Sequence, residues 1–172
     1  GPLNEAQADA LERVRRGARR LTEMISATLD SSRLEAGRER AAVDRVSMSD
    51  VVREIADALR VPADGSRLQV TWTDRTAERV LFTDRVKVKT ILGNLVGNAI
   101  KFTPAGAVDV LVDLVDGYLL LEVRDTGVGI PAETLPVIFE MFRQGDASAT
   151  RLFEGVGLGL YIVKRYVEIL GG

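Results

Sequence analysis

The chain has 172 residues, 46% of them apolar, and a formal net charge of -2 at pH 7. That is enough apolar material for one folded domain plus an appended element; it excludes wholesale disorder and offers no electrostatic case for nucleic acid or an anionic membrane as partner. Cysteine and histidine are both absent, which excludes disulfides, thiolate and imidazole metal sites, Ser/His triads and a histidine general base. Any chemistry must come from carboxylates, amides, basic side chains, backbone N–H groups or a bound cofactor.

Gly1-Pro2-Leu3 reads as a cloning scar and lies outside the fold argument. From Asn4 to Ala36 there is no proline and a single glycine, Gly17. Apolar or small residues recur at Leu11, Val14, Ala18, Leu21, Ile25, Thr28 and Ser32, in alternating steps of three and four. This is the a/d seam of a helix that packs on another helix. An amphipathic helix lying on its own domain would show the same stripe, but a helix of about 30 residues is about 45 Å long, more than one small domain can cover, so residues 4–37 are predicted as a dimerisation or bundle helix ended by Gly37.

A second unit, residues 46–172, is predicted to open with a helix capped by Ser47 and carrying Val51, Val52, Ile55 and Leu59 on one stripe. After a loop from Pro62 to Ser66, Leu68, Val70 and Trp72 alternate as a half-buried strand, and Val80 and Phe82 suggest a short one. Helix returns from about Asp84 to Phe102. Val108 to Leu114 alternate as a strand, Asp116-Gly117 marks a hairpin turn, and Tyr118 to Arg124 is the partner strand. Residues 125–154 read as loop with short helical pieces, and a last helix runs from about Leu158 to Leu170. One long helix followed by mixed strands and helices implies an α+β chain: an α/β sandwich with helices on one face of a sheet. No apolar run approaches the roughly 20 residues of a membrane helix.

Four segments can carry chemistry. Asn94, Asn98 and Lys101 are spaced i, i+4, i+7 on one helix face, where amide oxygens suit a hydrated Mg²⁺ and the ammonium suits phosphate; an exposed polar face would look the same. Asp125-Thr-Gly127-Val-Gly129-Ile130 places a carboxylate at a strand end beside two glycines that allow a flat ligand to approach; an ordinary turn would also fit. Gly155-Val156-Gly157-Leu158-Gly159 leads into a helix N-terminus, a phosphate cradle in principle, but neither a Walker loop nor a Rossmann fingerprint. Phe139, Met141 and Phe142 flank a polar stretch bearing Arg143 and Arg151. They read as a local hydrophobic clasp on a loop or, in the functional reading, as the anchor of a mobile lid over a nucleotide, with Arg143 and Arg151 as candidates to reach its phosphates.

In chain order, with the Phe139–Phe142 segment third and the Gly155–Gly159 segment fourth, they resemble the N, G1, F and G2 boxes of the catalytic domain of sensor histidine kinases, in the GHKL ATPase superfamily with the Bergerat fold. The stretch from Leu29 to Gly37, with its Ser-Arg-Leu-Glu-Ala-Gly end, resembles the end of the family's second dimerisation helix. The likeness covers nearly the whole chain. It implies that Asn98 coordinates Mg²⁺, with Asn94 and Lys101 near the phosphates of ATP. It implies that Asp125 accepts from the adenine amino group, with Gly127, Gly129 and Ile130 shaping the adenine pocket. It implies that Phe142, Arg143 and Arg151 belong to the lid, Asn98, Lys101 and Arg143 serving catalysis, and that residues Gly155 to Gly159, including Val156 and Leu158, lend backbone to the phosphates. The reaction implied is transfer of the γ-phosphoryl group to a histidine. The partners implied are a second copy through the 4–37 helix, a histidine-bearing dimerisation domain and a response-regulator receiver domain. The setting implied is cytoplasmic, with no membrane contact by these residues even where the parent protein is membrane-anchored.

The departures are specific. The acceptor histidine of the family is absent from this chain. Val156 stands where the family often has Thr or Ser, and Glu154 where many members have Gly. The family usually continues into two further strands after the last helix, so a sheet edge is expected to be open here. A different GHKL ATPase that drives dimer clamping, and a degenerate dimerising module that has lost ATP use, are the alternative readings.

Overall fold

The computed structural model describes residues 39–59, 67–76, 79–141 and 157–172, with scattered positions between 4 and 28. The chain divides into two compact units, 1–39 and 40–172.

In the first unit, every described position from 7 to 28 is helical; this is α1. Its start is capped reciprocally: Asn4 Oδ1 accepts from the Gln7 N–H at 2.8 Å, and Gln7 Oε1 accepts from the Asn4 N–H at 3.1 Å. Two otherwise orphaned donors are thereby satisfied. The predicted seam residues Leu11, Val14, Leu21 and Ile25 are all exposed, at 60–69% of their accessible surface.

The second unit runs β1 (Asp44–Ser47), α2 (Met48–Ala58), β2 (Leu68–Asp74), β3 (Val80–Thr83), α3 (Arg85–Phe102), β4 (Gly106–Val115), β5 (Tyr118–Asp125), a 3₁₀ turn (Leu135–Val137) and α4 (Gly159–Ile169). Three strands form a mixed sheet in the order β2-β4-β5, with β4 parallel to β2 and antiparallel to β5. Alternation sends Val108, Val110 and Val112 of β4 into the core, with Leu68, Val70 and Trp72 of β2 and Leu119, Leu121 and Val123 of β5 packed around them. The opposite sheet face shows Gln69, Thr71, Thr73 and Asp109 to solvent, so the helices lie on one face only. Met48, Val51 and Ile55 of α2 and Val88, Leu92 and Val96 of α3 close the core from that side. The predicted sandwich is therefore the observed one.

One strand lies outside the expectation. Residues Asp44–Ser47 form β1, which pairs antiparallel with β3 as a separate two-stranded sheet. Only Val46 of its four residues turns inward, so there is no alternation long enough to register as a strand.

The start of α3 is fixed by a buried ion pair. Asp84 is its N-cap: Oδ1 accepts from the Lys87 N–H at 3.0 Å. Asp84 Oδ2 takes Lys87 Nζ at 2.9 Å and the Ala42 N–H at 2.8 Å. Lys87 Nζ also lies 5.3 Å from the centroid of the Tyr166 ring on α4. Burial works against a charged Asp84, but the hydrogen bonds and the ammonium outweigh it and hold its pKa below the usual carboxylate value. One carboxylate thus joins the chain before β1 to α3, and through Lys87 to α4.

Candidate functional site

Helix α3 carries the first group of expected residues. Asn94 and Asn98 are both half-buried. Asn94 is immobilised, its Nδ2 donating to the Thr90 carbonyl one turn back at 2.9 Å. Its other face meets the start of α4, where a Cβ placed on Gly159 would stand 2.6 Å from Asn94 Oδ1. The chain therefore brings Asn94 and Gly159 into direct contact, and only a residue without a side chain fits there. The Asn98 amide makes no hydrogen bond among the described residues and remains available to a ligand. Lys101 Nζ sits over the Phe102 ring, 4.7 Å from the centroid.

The N-terminus of α4 supplies donors. Leu158 is its N-cap and offers no side-chain hydrogen bond. Its side chain is buried in the core instead, at 1% exposure. The first helical N–H groups thus receive no side-chain cap from Leu158, at the positive end of the helix dipole. Gly157, just before, has a φ of 73°.

At the far end of α3 sits Asp125, the last residue of β5, opposite Val108. Its Oδ1 accepts from the Gly127 N–H at 2.9 Å and from the Thr103 hydroxyl at 3.4 Å. Its Oδ2 has no partner among the described residues and opens to solvent. Gly127 is enclosed. A Cβ there would stand 2.3 Å from the Phe102 carbonyl oxygen, 2.7 Å from Thr103 Oγ1 and 2.8 Å from Asp125 Oδ1. The Val128 N–H donates to that same Phe102 carbonyl at 3.2 Å, stitching the loop to the end of α3. Thr126 completes the corner, its Oγ1 accepting from the Ala107 N–H at 2.9 Å. Gly129 (φ 68°) and the exposed Ile130 follow on the open side.

Among the described residues, then, α3 links two clusters: Asn94 with Gly159 in its middle and Asp125 with Gly127 at its end. Thr103 and Thr126 belong to the second cluster and escaped sequence reasoning; a threonine directly past a predicted helix end, facing an acidic strand end, is the signal that could have found Thr103. Phe142, Arg143, Arg151, Glu154, Gly155 and Val156 lie outside the described residues. Phe139 is described and 40% exposed. A groove of about 540 Å³ runs along the first half of α3, lined by Arg85, Val86, Lys89, Thr90, Gly93 and Asn94. It touches the site only at Asn94. No group of three or more acidic side chains able to hold a metal occurs among the described residues, so a divalent ion would depend on an amide and on the ligand's own oxygens. None of their helices is long and apolar enough to cross a membrane.

The chain is similar over most of its length to known proteins. The chain is 34% identical over 175 residues to the autoinducer 2 sensor kinase/phosphatase LuxQ of Vibrio parahaemolyticus, covering 98% of this chain and 20% of LuxQ. It is 35% identical over 176 residues to the signal transduction histidine-protein kinase BarA of Escherichia coli, covering 99% of this chain and 19% of BarA. The chain thus spans about a fifth of the length of these curated relatives. Among solved structures, full-length ShkA in complex with AMPPNP superimposes with a TM-score of 0.80 at 28% identity, over 99% of this chain and 35% of ShkA. The mycobacterial sensor histidine kinase MprB superimposes with a TM-score of 0.62 at 27% identity, over 76% of this chain and 81% of MprB. The family model described as histidine kinase-, DNA gyrase B- and HSP90-like ATPase matches residues 83–172, which span α3, β4, β5, the Asp125 corner and α4. With more than half its length matched in this way, the chain belongs to the family of histidine kinase-, DNA gyrase B- and HSP90-like ATPases.

Proposed function

We propose that this chain is the ATP-binding catalytic core of a two-component sensor histidine kinase, acting on a histidine supplied by another chain or segment. The observation that supports it most is the double use of α3. Its C-terminal end meets a carboxylate with one oxygen fixed and, among the described residues, one open, and its middle meets a helix start that its N-cap residue Leu158 does not cap. A nucleotide laid along α3 would place its base at Asp125 and its phosphates toward Asn94, Asn98 and α4.

In this reading Asp125 Oδ2 accepts from the exocyclic amine of adenine. Gly127 keeps the corner free of a side chain, and Gly129 and Ile130 border the base. The N–H groups at the start of α4, with the backbone of Gly155, Val156, Gly157 and Leu158, meet phosphate oxygens. Asn98 holds Mg²⁺ through its amide oxygen; its half-buried and unpartnered amide fits a cation that keeps several waters and takes its other ligands from phosphates. Bound there, Mg²⁺ would neutralise charge on the transferring phosphoryl group. Arg143 and Arg151 serve the same end from the lid, and Lys101 would have to leave the Phe102 ring to join them. The acceptor histidine nitrogen forms a bond to the γ-phosphorus as the bond to the β,γ-bridging oxygen breaks, giving phosphohistidine and ADP. Such transfer relies on positioning and charge rather than on a strong base, so the lack of histidine in the site is no obstacle. ATP places the module in the cytoplasm. The exposed α1 seam would bind a second copy, and a receiver domain would take the phosphoryl group onward.

The test is calorimetric titration of the chain with a non-hydrolysable ATP analogue, with and without Mg²⁺, beside Asp125→Asn and Asn98→Ala. Expected are Mg²⁺-dependent binding by the wild type, loss in Asp125→Asn, and loss of the Mg²⁺ dependence in Asn98→Ala. A folded wild-type chain that binds no analogue would sink the proposal.

A further inference from the structure

Thr103 is completely buried, at 0% exposure, directly after the last turn of α3. A hydroxyl in such a place loses its water and must find a partner inside the protein. Among the described residues its only partner is Asp125 Oδ1, at 3.4 Å. Its methyl group packs instead, lying 3.7 Å from where a Cβ on Gly106 would stand. Valine would fill the same space without any polar group to satisfy, so packing alone does not call for the hydroxyl. The carboxylate it faces is fixed on the same oxygen by the Gly127 N–H at 2.9 Å. Two donors on Oδ1, one of them from a buried side chain, set the rotation of the carboxylate about its last torsion and leave Oδ2 as the open acceptor. The 3.4 Å separation is long for a hydroxyl donor, so of the two contacts on Oδ1 the Gly127 N–H at 2.9 Å is the shorter.

We propose that Thr103 is a positioning residue for base selection: its hydroxyl aims the Asp125 carboxylate so that Oδ2 meets the exocyclic amine of a 6-aminopurine. The inference rests on the assignment of Asp125 to the base and goes beyond it in naming what makes that carboxylate selective. Without the hydroxyl, Asp125 turns more freely, and the advantage of a base bearing the amine over one lacking it shrinks.

The experiment uses the full chain, Mg²⁺ and two non-hydrolysable triphosphates, one of adenosine and one of purine riboside, which has hydrogen in place of the amine. Affinities are measured by calorimetry for the wild type, Thr103→Val and Thr103→Ser. The wild type is expected to prefer the adenine ligand by roughly tenfold or more, as a hydrogen bond to a charged acceptor warrants. Thr103→Val should narrow that preference to about twofold, and Thr103→Ser should keep it. A preference that survives in Thr103→Val overturns the proposal, whether the two affinities are unchanged or fall together; the latter marks a merely structural role. A wild type with no preference refutes the assignment of Asp125 itself, and this inference with it. Should Thr103→Val fail to fold, Thr103→Ala carries the same comparison, since it removes the hydroxyl without adding bulk.

Discussion

The side-chain amide of Asn94 is wedged against Gly159, with 2.6 Å between its Oδ1 and the place a Cβ on Gly159 would occupy. Asn94 cannot simply swing aside, because its Nδ2 is committed to the Thr90 carbonyl. Gly159→Ala is therefore expected to destabilise the chain by about 1–3 kcal/mol, as overpacking does, although alanine suits a helix better than glycine. It should weaken binding of an ATP analogue at the same time, since the amide and the start of α4 move together. Adding Asn94→Ala removes the clash and should restore the lost stability; urea unfolding of the two single variants and the double variant checks this. Additive losses would show that the contact does not constrain the site.

On the surface, Glu54 of α2 bridges two cations of α3. Its carboxylate accepts from Arg85 at 2.5 Å and from Lys89 at 2.8 Å. These hydrogen bonds, Arg85 first, lower its pKa from 4.5 to about 2. A folded-state pKa below the unfolded one contributes stability above the unfolded value, and that contribution is lost as pH falls through the folded value. The melting temperature of wild type should exceed that of Glu54→Gln at pH 7. The gap should close between pH 4.5 and pH 2, and it should shrink in high salt, because the group lies at the surface in contact with solvent. A gap that does not change with pH would mean that Glu54 acts through packing.

Lys87 and Asp84 make the opposite case, a pair almost wholly removed from water. Lys87→Met leaves the carboxylate buried with only two backbone donors, and the expected loss is about 3 kcal/mol by urea denaturation. Asp84→Asn in the same chain should recover part of it by removing the stranded charge. A loss below about 1 kcal/mol for Lys87→Met would show that the ammonium is dispensable there.

The seam of α1 requires cover. Leu11, Val14, Leu21 and Ile25 are each at least 60% exposed in the single chain. The chain is expected to dimerise at tens of micromolar by light scattering, and Leu21→Glu with Ile25→Glu should make it monomeric. A wild-type monomer at that concentration would remove the dimer from the proposed function.

Much of this was legible in the sequence, and the physical reasons differ by element. The β4–β5 hairpin announced itself because alternation and a turn dipeptide are local signals. Helix α3 did so because its apolar stripe persists over five turns. The strand β1 did not, since its identity depends on β3, far along the chain. The contacts that shape the candidate site were the least visible. Gly127 reads as a turn residue, yet its closest neighbours are the Phe102 carbonyl and Thr103 Oγ1, brought there by the end of α3. Gly159 reads as part of a phosphate cradle, and its contact with Asn94 is a fact of packing between two helices. Lys101 reads as a cation spaced with Asn94 and Asn98 along the helix, but no periodicity foretells that its Nζ lies over the neighbouring Phe102 ring.

The mixed sheet carries a consequence for how the chain assembles. Val115 pairs with Tyr118 across a turn whose two residues, Asp116 and Gly117, both have positive φ, 51° and 84°. This closure is local and matches the twist of a hairpin. Leu68, by contrast, meets Gly106 only after all of β3 and α3 lie between them. Closing that long loop costs more entropy before any contact compensates for it. The hairpin, with Asp125 at its end, is therefore expected to form before β2 joins the opposite edge of β4. Native-state hydrogen exchange should find the amides of β4 that face β5 slower to open than those of β2, and the base-binding end of the site should persist in partly unfolded forms that have already released that outer strand.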